Sequence, residues 1–200
     1  SRQIVMEAAQ IGDPIPYAFG RQGMRPSIIG GDDSDENLIL DMMWSVGEIE
    51  AINGVSGIGS KVLYMPDIGY VDISGAEHEH FYGTSGQSAS TILTALKGSY
   101  DALPNIAHSV ITMQLGWNLN CMAFIDGVHV ADPRTSPHTI AWSENAALIL
   151  ADILDRCGYT LDWASVGAAA DWCDDPIDTA YSPLGMRCPI GGQIRERNEL

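Results

Sequence analysis

From Phe124 to Asp152 the chain reads FIDGVHVADPRTSPHTIAWSENAALILAD, and this order leaves little freedom. CMAFI and VHVAD flank Asp126-Gly127. A two-residue Asp-Gly loop favours a type I′ turn, whose twist matches that of paired strands. CMAFI and VHVAD are therefore expected to form a hairpin. Pro133 fixes φ and keeps Asp132 extended, so Asp132-Pro133-Arg134 should end that hairpin and send the chain out of the sheet. Ser143 then stands at an expected helix N-cap, because its hydroxyl can accept an orphan backbone N–H. Trp142 and Ala147 occupy the matching hydrophobic-staple positions. Ala146, Ile149, Leu150, Ile153, Leu154 and Cys157 form one apolar face at helical spacing, with Gly158 just past the end. A second helix is expected over Trp163 to Trp172, capped by Asp162 and stopped by Asp174-Asp175-Pro176. The whole stretch reads as the junction of a β-domain with a helical segment.

Upstream, the pattern is one of short strands. Gly12-Asp13-Pro14 breaks the apolar run at 3–11, and IPYAFGRQGM reads as a strand entering a turn at Gly20 and Gly23. Residues 30–37, GGDDSDEN, read as a solvated loop. Leu38, Leu40, Met42 and Trp44 recur at period two, which argues for a half-buried strand, with a second strand after the Gly47 turn. Asn53-Gly54 is a turn signal. KVLYM and YVDI read as short strands, residues 74–90 as mostly loop, and SVITMQLGW as a strand. After Pro176 the chain reads as extended and loop-rich, with RCPIGGQI as one short strand pair. Many short strands followed by two helices predict an α+β fold dominated by β structure.

Composition narrows the function classes. The chain has 200 residues and 46% hydrophobic content, enough for a core. No apolar run is long enough to cross a bilayer as a helix. The start lacks a basic segment followed by an apolar one, so no signal peptide is read. Ser1 is not an initiator Met and the end is an uncapped polar run, so the chain reads as part of something longer. Net charge is −16, with 26 acids against 10 bases, which disfavours a phosphate-binding surface. Cys121, Cys157, Cys173 and Cys188 form no C-x-x-C pair. Four free thiols are the favoured reading and a Cys157–Cys173 disulfide the minority one.

Several clusters carry possible chemistry. Glu77-His78-Glu79-His80 could place two imidazoles on one side of a strand for a metal, but spacing supplies no third ligand. Asp32, Asp33, Asp35 and Glu36 offer hard oxygens without the EF-hand pattern, so a solvated acidic turn is favoured. Gly54 to Gly59, GVSGIG, is followed by no helix and no phosphate-binding Lys-Ser or Lys-Thr. Gly83-Thr84-Ser85-Gly86 is not a nucleophile elbow. Asp174-Asp175 reads as a helix stop. Trp142, Trp163 and Trp172 read as core anchors beside the helices. Glu48 and Glu50 with Asp126 are the one carboxylate set that a glycan-cleaving dyad would use. No catalytic, cofactor or metal residue is assigned.

The stretch from Val128 to Asp152 resembles the tail tip attachment proteins of long-tailed phages, of the lambda host-specificity type, and the related baseplate hub proteins of gene transfer agents. The matching residues are Gly127, Val128, Val130, Asp132, Pro133, Arg134, Thr135, Ala141, Trp142, Ser143, Asn145, Ala147, Leu148, Asp152 and Leu154. Pro16 to Arg21 is similar to an early strand of the family, Asn37 to Ile52 to its next strands, and Gly158-Tyr159 to the end of its first helix. The likeness runs over roughly 12 to 194. It departs between Val110–Leu115 and the hairpin, where the family's Pro-x-x-Pro loop is missing, and over Lys61 to Tyr100, which has no match. The resemblance implies a small β-barrel-like hub domain over 1–135 with a variable insertion near 61–100. It further implies a helical segment over 136–176 and the start of a further domain over 177–200. It implies a non-enzymatic structural protein of the virion, assembled in the host cytoplasm as a homotrimer. Such a trimer closes the distal tail tube, joins it to receptor-binding or tail-fibre proteins, and opens for DNA passage. The alternative is a virion-associated or secreted domain active on carbohydrate or peptidoglycan.

Overall fold

The computed structural model describes residues 15–34, 37–53, 62–65, 69–72, 78–114, 122–175 and 192–196. Its longest strand organises the rest. Met122–Asp132 (β10) is one continuous strand through Asp126-Gly127, not a hairpin. Arg21–Met24 (β2) pairs along one side of it, and Ile49–Asn53 (β5) and Val62–Met65 (β6) along the other. Gly69–Asp72 (β7) extends β6, and Thr139–Trp142 (β11) pairs with the C-terminal part of β10. These six strands form one antiparallel sheet.

Gly127 is required for a different reason than a turn. Ile15–Phe19 (β1) crosses β10 there, and a Cβ on residue 127 would sit 2.3 Å from the Ala18 carbonyl oxygen. The Gly127 N–H donates to the Gly20 carbonyl at 2.7 Å, so the backbones meet directly. A glycine inside a strand marks such a close approach. The hairpin lies one step later. β10 turns through residues 133–138 and returns as β11, with Asp132 opposite Thr139.

A second antiparallel sheet has the order β3-β4-β9-β8. Its strands are Ser27–Ser34 (β3), Asn37–Val46 (β4), His78–Tyr82 (β8) and Ile106–Gln114 (β9). The loop expected at 30–37 is instead strand over its described residues, with the polar run GGDDS in an outer strand where solvent covers one edge, whereas 74–90 is strand only over 78–82 and turn and loop over 83–90, as expected. The strand β4 is buried on both faces rather than one. Leu38, Leu40, Met42 and Trp44 point into the main core with Ile125, Val128 and Val130 of β10, which joins the two sheets. Each such side chain contributes about 1.5–3 kcal/mol on burial. Ile39 and Val110 point the other way and pack under a helix, Thr91–Lys97 (α1), that the sequence reading does not contain. At seven residues it carries too short an apolar period to stand out.

The helical segment is Ala146–Arg156 (α2) and Trp163–Asp174 (α3). The N-cap of α2 is Asn145, whose Oδ1 accepts from the Ala147 and Leu148 N–H groups at 3.0 and 3.3 Å. Ser143 instead accepts from the Asn145 N–H at 3.0 Å, holding the cap in place. The staple pair moves with the cap, so Trp142 and Ala147 do not form it. Asp162 caps α3 as expected. At the end of α2, Gly158 (φ +83°) and Tyr159 donate to Asp155 and Leu154 carbonyls, a Schellman closure. Gly192–Glu196 (β12) pairs with β1 rather than with a neighbour in sequence. The fold is α+β, dominated by antiparallel β structure. Residues 3–14, the Gly54 side of the Asn53-Gly54 turn, GVSGIG and the stretch 176–191 lie outside the described residues.

Candidate assembly surface

The turn after β10 is a clasp between sheet and helices. Asp132 Oδ1 accepts from the Arg134 N–H at 3.0 Å, closing an Asx-type turn. The Arg134 guanidinium then binds Asp132 through Nε and Nη2. Its Nη1 reaches Asp174 at 2.7 Å and Asp171 at 3.3 Å, both on α3. Hydrogen bonding to Arg134 holds the Asp132 carboxyl below its ordinary range, and the same bond raises the already high Arg134 value. Pro133 and the Arg134 stem lie against Gly167 of α3, within 3.8 Å of where a Cβ would project. Asn145 Nδ2 donates to the Ala170 carbonyl at 2.9 Å, tying the start of α2 to α3. The outward side of this unit is apolar in places: Ile140 is 70% exposed and Trp172 72%. Trp172 is therefore no core anchor; Trp163 is half-buried against the His138 ring.

A buried polar cluster lies under α1, in residues the sequence reading passed over. Asp41, fully buried on β4, accepts from Tyr100 Oη at 2.6 Å and pairs with His108 Nδ1 at 2.7 Å. Phe81 stacks on the His108 ring at 4.4 Å. Burial first, then the bond to Asp41, pushes the Tyr100 hydroxyl well above its ordinary range. Gly30 leaves room for that hydroxyl, since a Cβ there would lie 2.9 Å from Tyr100 Oη. Next to the cluster, Glu79 caps α1: its carboxylate accepts from the Ser90 and Thr91 hydroxyls and from the Thr91 N–H at 3.0 Å. Burial alone would raise the Glu79 carboxyl, but these donors outweigh it and hold it low. The two carboxylates bind at opposite ends of α1, Glu79 at Thr91 and Asp41 at Tyr100 just past Lys97.

The candidates read from sequence separate in space. His78 and His80 do share a face of β8, with rings 5.0 Å apart, but His80 Nδ1 is engaged by the Ser109 hydroxyl at 2.7 Å. That hydroxyl also accepts from Trp44 Nε1 at 2.7 Å. Glu79 faces the other side, and among the described residues no three potential ligands converge on a metal position. Asp32 lies 4.0 Å from Lys97 Nζ, while Asp35 and Glu36 are outside the described residues. Asp126 is held by Arg21 through Nε at 2.6 Å and Nη2 at 3.0 Å. It pairs with Ala51, so Glu50, one residue along, points to the opposite face, where its carboxylate meets His129 Nε2 at 3.0 Å. Glu50 and Asp126 therefore do not face each other across a cleft. Cys157 and Cys173 are both free thiols. No described helix is long and apolar enough to cross a membrane.

No family model matches the chain, and no curated protein sequence is similar to it. Among solved structures, a chain from the virion of a native gene transfer agent particle superposes with a TM-score of 0.56 at 15% identity. The match covers 84% of this chain and 50% of that one, so the chain spans about half the length of its structural neighbour. The two share a fold.

Proposed function

We propose that this chain is a non-enzymatic structural protein of a virion, a hub of the phage tail tip or baseplate. The fold likeness to a gene transfer agent virion chain over 84% of the sequence carries the reading. The Asp132–Thr135 turn and the Asn145 helix start, which carry the resemblance in the sequence, support it by acting together as the joint between sheet and helices. In this reading residues 1–135 are the hub domain. Residues 136–176 are a helical packing segment, and 177–200 lead toward a further domain, with β12 returning to β1 on the way. Three copies close the distal tail tube, contact the tube and distal tail proteins above and receptor-binding or fibre proteins below, and part for DNA on ejection. The exposed Ile140 and Trp172 suit contact with neighbours, because apolar side chains of that size left in water mark association surfaces when they recur. The net charge of −16 suits a lumen past which DNA slides without adhering.

Electron microscopy of particles from the source of this chain, labelled with gold-tagged antibody against it, tests the placement. Gold at the far end of the tail is the expected result. Label on the capsid, or particles that carry none of the chain, would overturn it.

A further inference from the structure

We propose that the cleft between β1 and the C-terminal half of α2 is a binding site for a small ligand with a compact apolar body and a single carboxylate. The cleft encloses about 400 Å3, lined by Tyr17, Phe19, Val46, Ile153, Arg156 and Cys157, with Ile15 at one side. That volume falls within the range of about 300–1,000 Å3 typical of small-ligand sites. It holds one ring and a short chain, and is too small for a peptide segment with its backbone.

The walls set the apolar part of the ligand. The Tyr17 and Phe19 rings lie 4.9 Å apart and tilted, so they present both a face and an edge. Val46 and Ile153 complete an aliphatic side. Arg156 sets the charged part, as the one ionised group among the described lining residues. Its guanidinium carbon lies over the Tyr17 ring, 4.6 Å from the centroid, and its Nε donates to Asp152 at 2.6 Å. Both restraints leave the terminal nitrogens without a hydrogen bond among the described residues. A pre-oriented guanidinium with that free end matches a carboxylate bidentately. Asp152 and Asp155, both just before Arg156 in the chain, lower the local potential, so binding depends on direct contact with Arg156 and not on long-range attraction.

Cys157 gives a reporter inside the cleft, and Cys173, free and on α3, gives a control outside it. Hydrocinnamate is the probe and its uncharged amide the comparison. Binding to the purified 200-residue chain is followed by ligand-observed NMR, and iodoacetamide labelling of each cysteine by peptide mass spectrometry. Hydrocinnamate should bind saturably and slow labelling of Cys157 while leaving Cys173 unchanged. The amide should bind about tenfold more weakly, and Arg156→Gln should weaken hydrocinnamate by about the same factor, the loss of one charge-assisted contact. Unchanged labelling of Cys157 at saturating hydrocinnamate would overturn the site. Equal affinity for acid and amide would overturn its chemistry, and that comparison uses the unmodified protein alone. Neither result bears on assembly into a virion, so the site and the hub reading stand or fall separately.

Discussion

Two helical elements are fastened to the same β framework by opposite chemistry. α1 lies over a carboxylate that is fully buried, Asp41, bound by His108 and Tyr100. α3 is fastened from outside, by the Arg134 guanidinium reaching three aspartates at the surface. The buried arrangement cannot exchange its partners for water, so losing one partner leaves the others stranded in low dielectric. The surface clasp can exchange, and its ions are screened. The number of hydrogen bonds therefore does not set their weight: the buried set fixes a sheet face, and the surface clasp, though richer in bonds, fixes the angle of a helix while costing little to release.

The comparison breaks most severely at Asp41. Asp41→Ala should lower stability by about 3–5 kcal/mol, because Tyr100 and His108 keep their burial and lose their acceptor. Chemical denaturation would read this as a lower midpoint at unchanged slope. A loss under about 1 kcal/mol would mean water reaches the cluster.

The crossing of β1 over β10 comes next. Gly127→Ala should cost about 1–3 kcal/mol through overpacking against Ala18, and Gly127→Asn should cost no less. At a type I′ turn, Asn would be tolerated. Thermal melts of the two variants separate the crossing from the turn.

Acid should then release α1 before the core. Glu79→Ala should cost about 1 kcal/mol, as the loss of a capping carboxylate. The Glu79 carboxyl is held below its unfolded value. Its contribution is therefore fully present above the unfolded pKa of about 4.3 and is lost as pH falls through the lower folded value. The stability difference between the parent and Glu79→Gln should shrink across that acid window and stay constant above it. A difference that instead shrank toward alkaline pH would contradict the sign.

The smallest effect is expected at Arg134. Arg134→Ala should cost at most about 1 kcal/mol at low salt, and about half of that or less in molar salt. A double-mutant cycle with Asp174→Asn measures it. A coupling that molar salt leaves intact would place the clasp in a drier setting than its exposure indicates.

Parts of this were legible in the chain. Period-two apolar spacing located β4, and Asp162 and Gly158 marked helix ends, because caps depend on a few local atoms. The Asp126-Gly127 signal was real, but its cause was not local. A glycine needed for contact with Ala18, far earlier in the chain, looks the same in sequence as one needed for a turn. The Gly30-Gly31 pair misled in the same way: Gly30 clears space for Tyr100 and Gly31 for the Ile39 carbonyl, instead of opening a loop. Asp41 sits between Leu40 and Met42 in an apolar strand, a buried-polar signal that sequence alone could not complete because His108 and Tyr100 lie far along the chain. The cap shift from Ser143 to Asn145 was invisible for a simpler reason: both residues accept N–H groups well, and contact with Ala170 of α3 decides between them.

The mass of the purified chain in solution, by light scattering across concentration, tests assembly most directly. The hub reading expects a particle of three copies of the 21.5 kDa chain. A monomer of that single mass, unchanged as concentration rises, would contradict it.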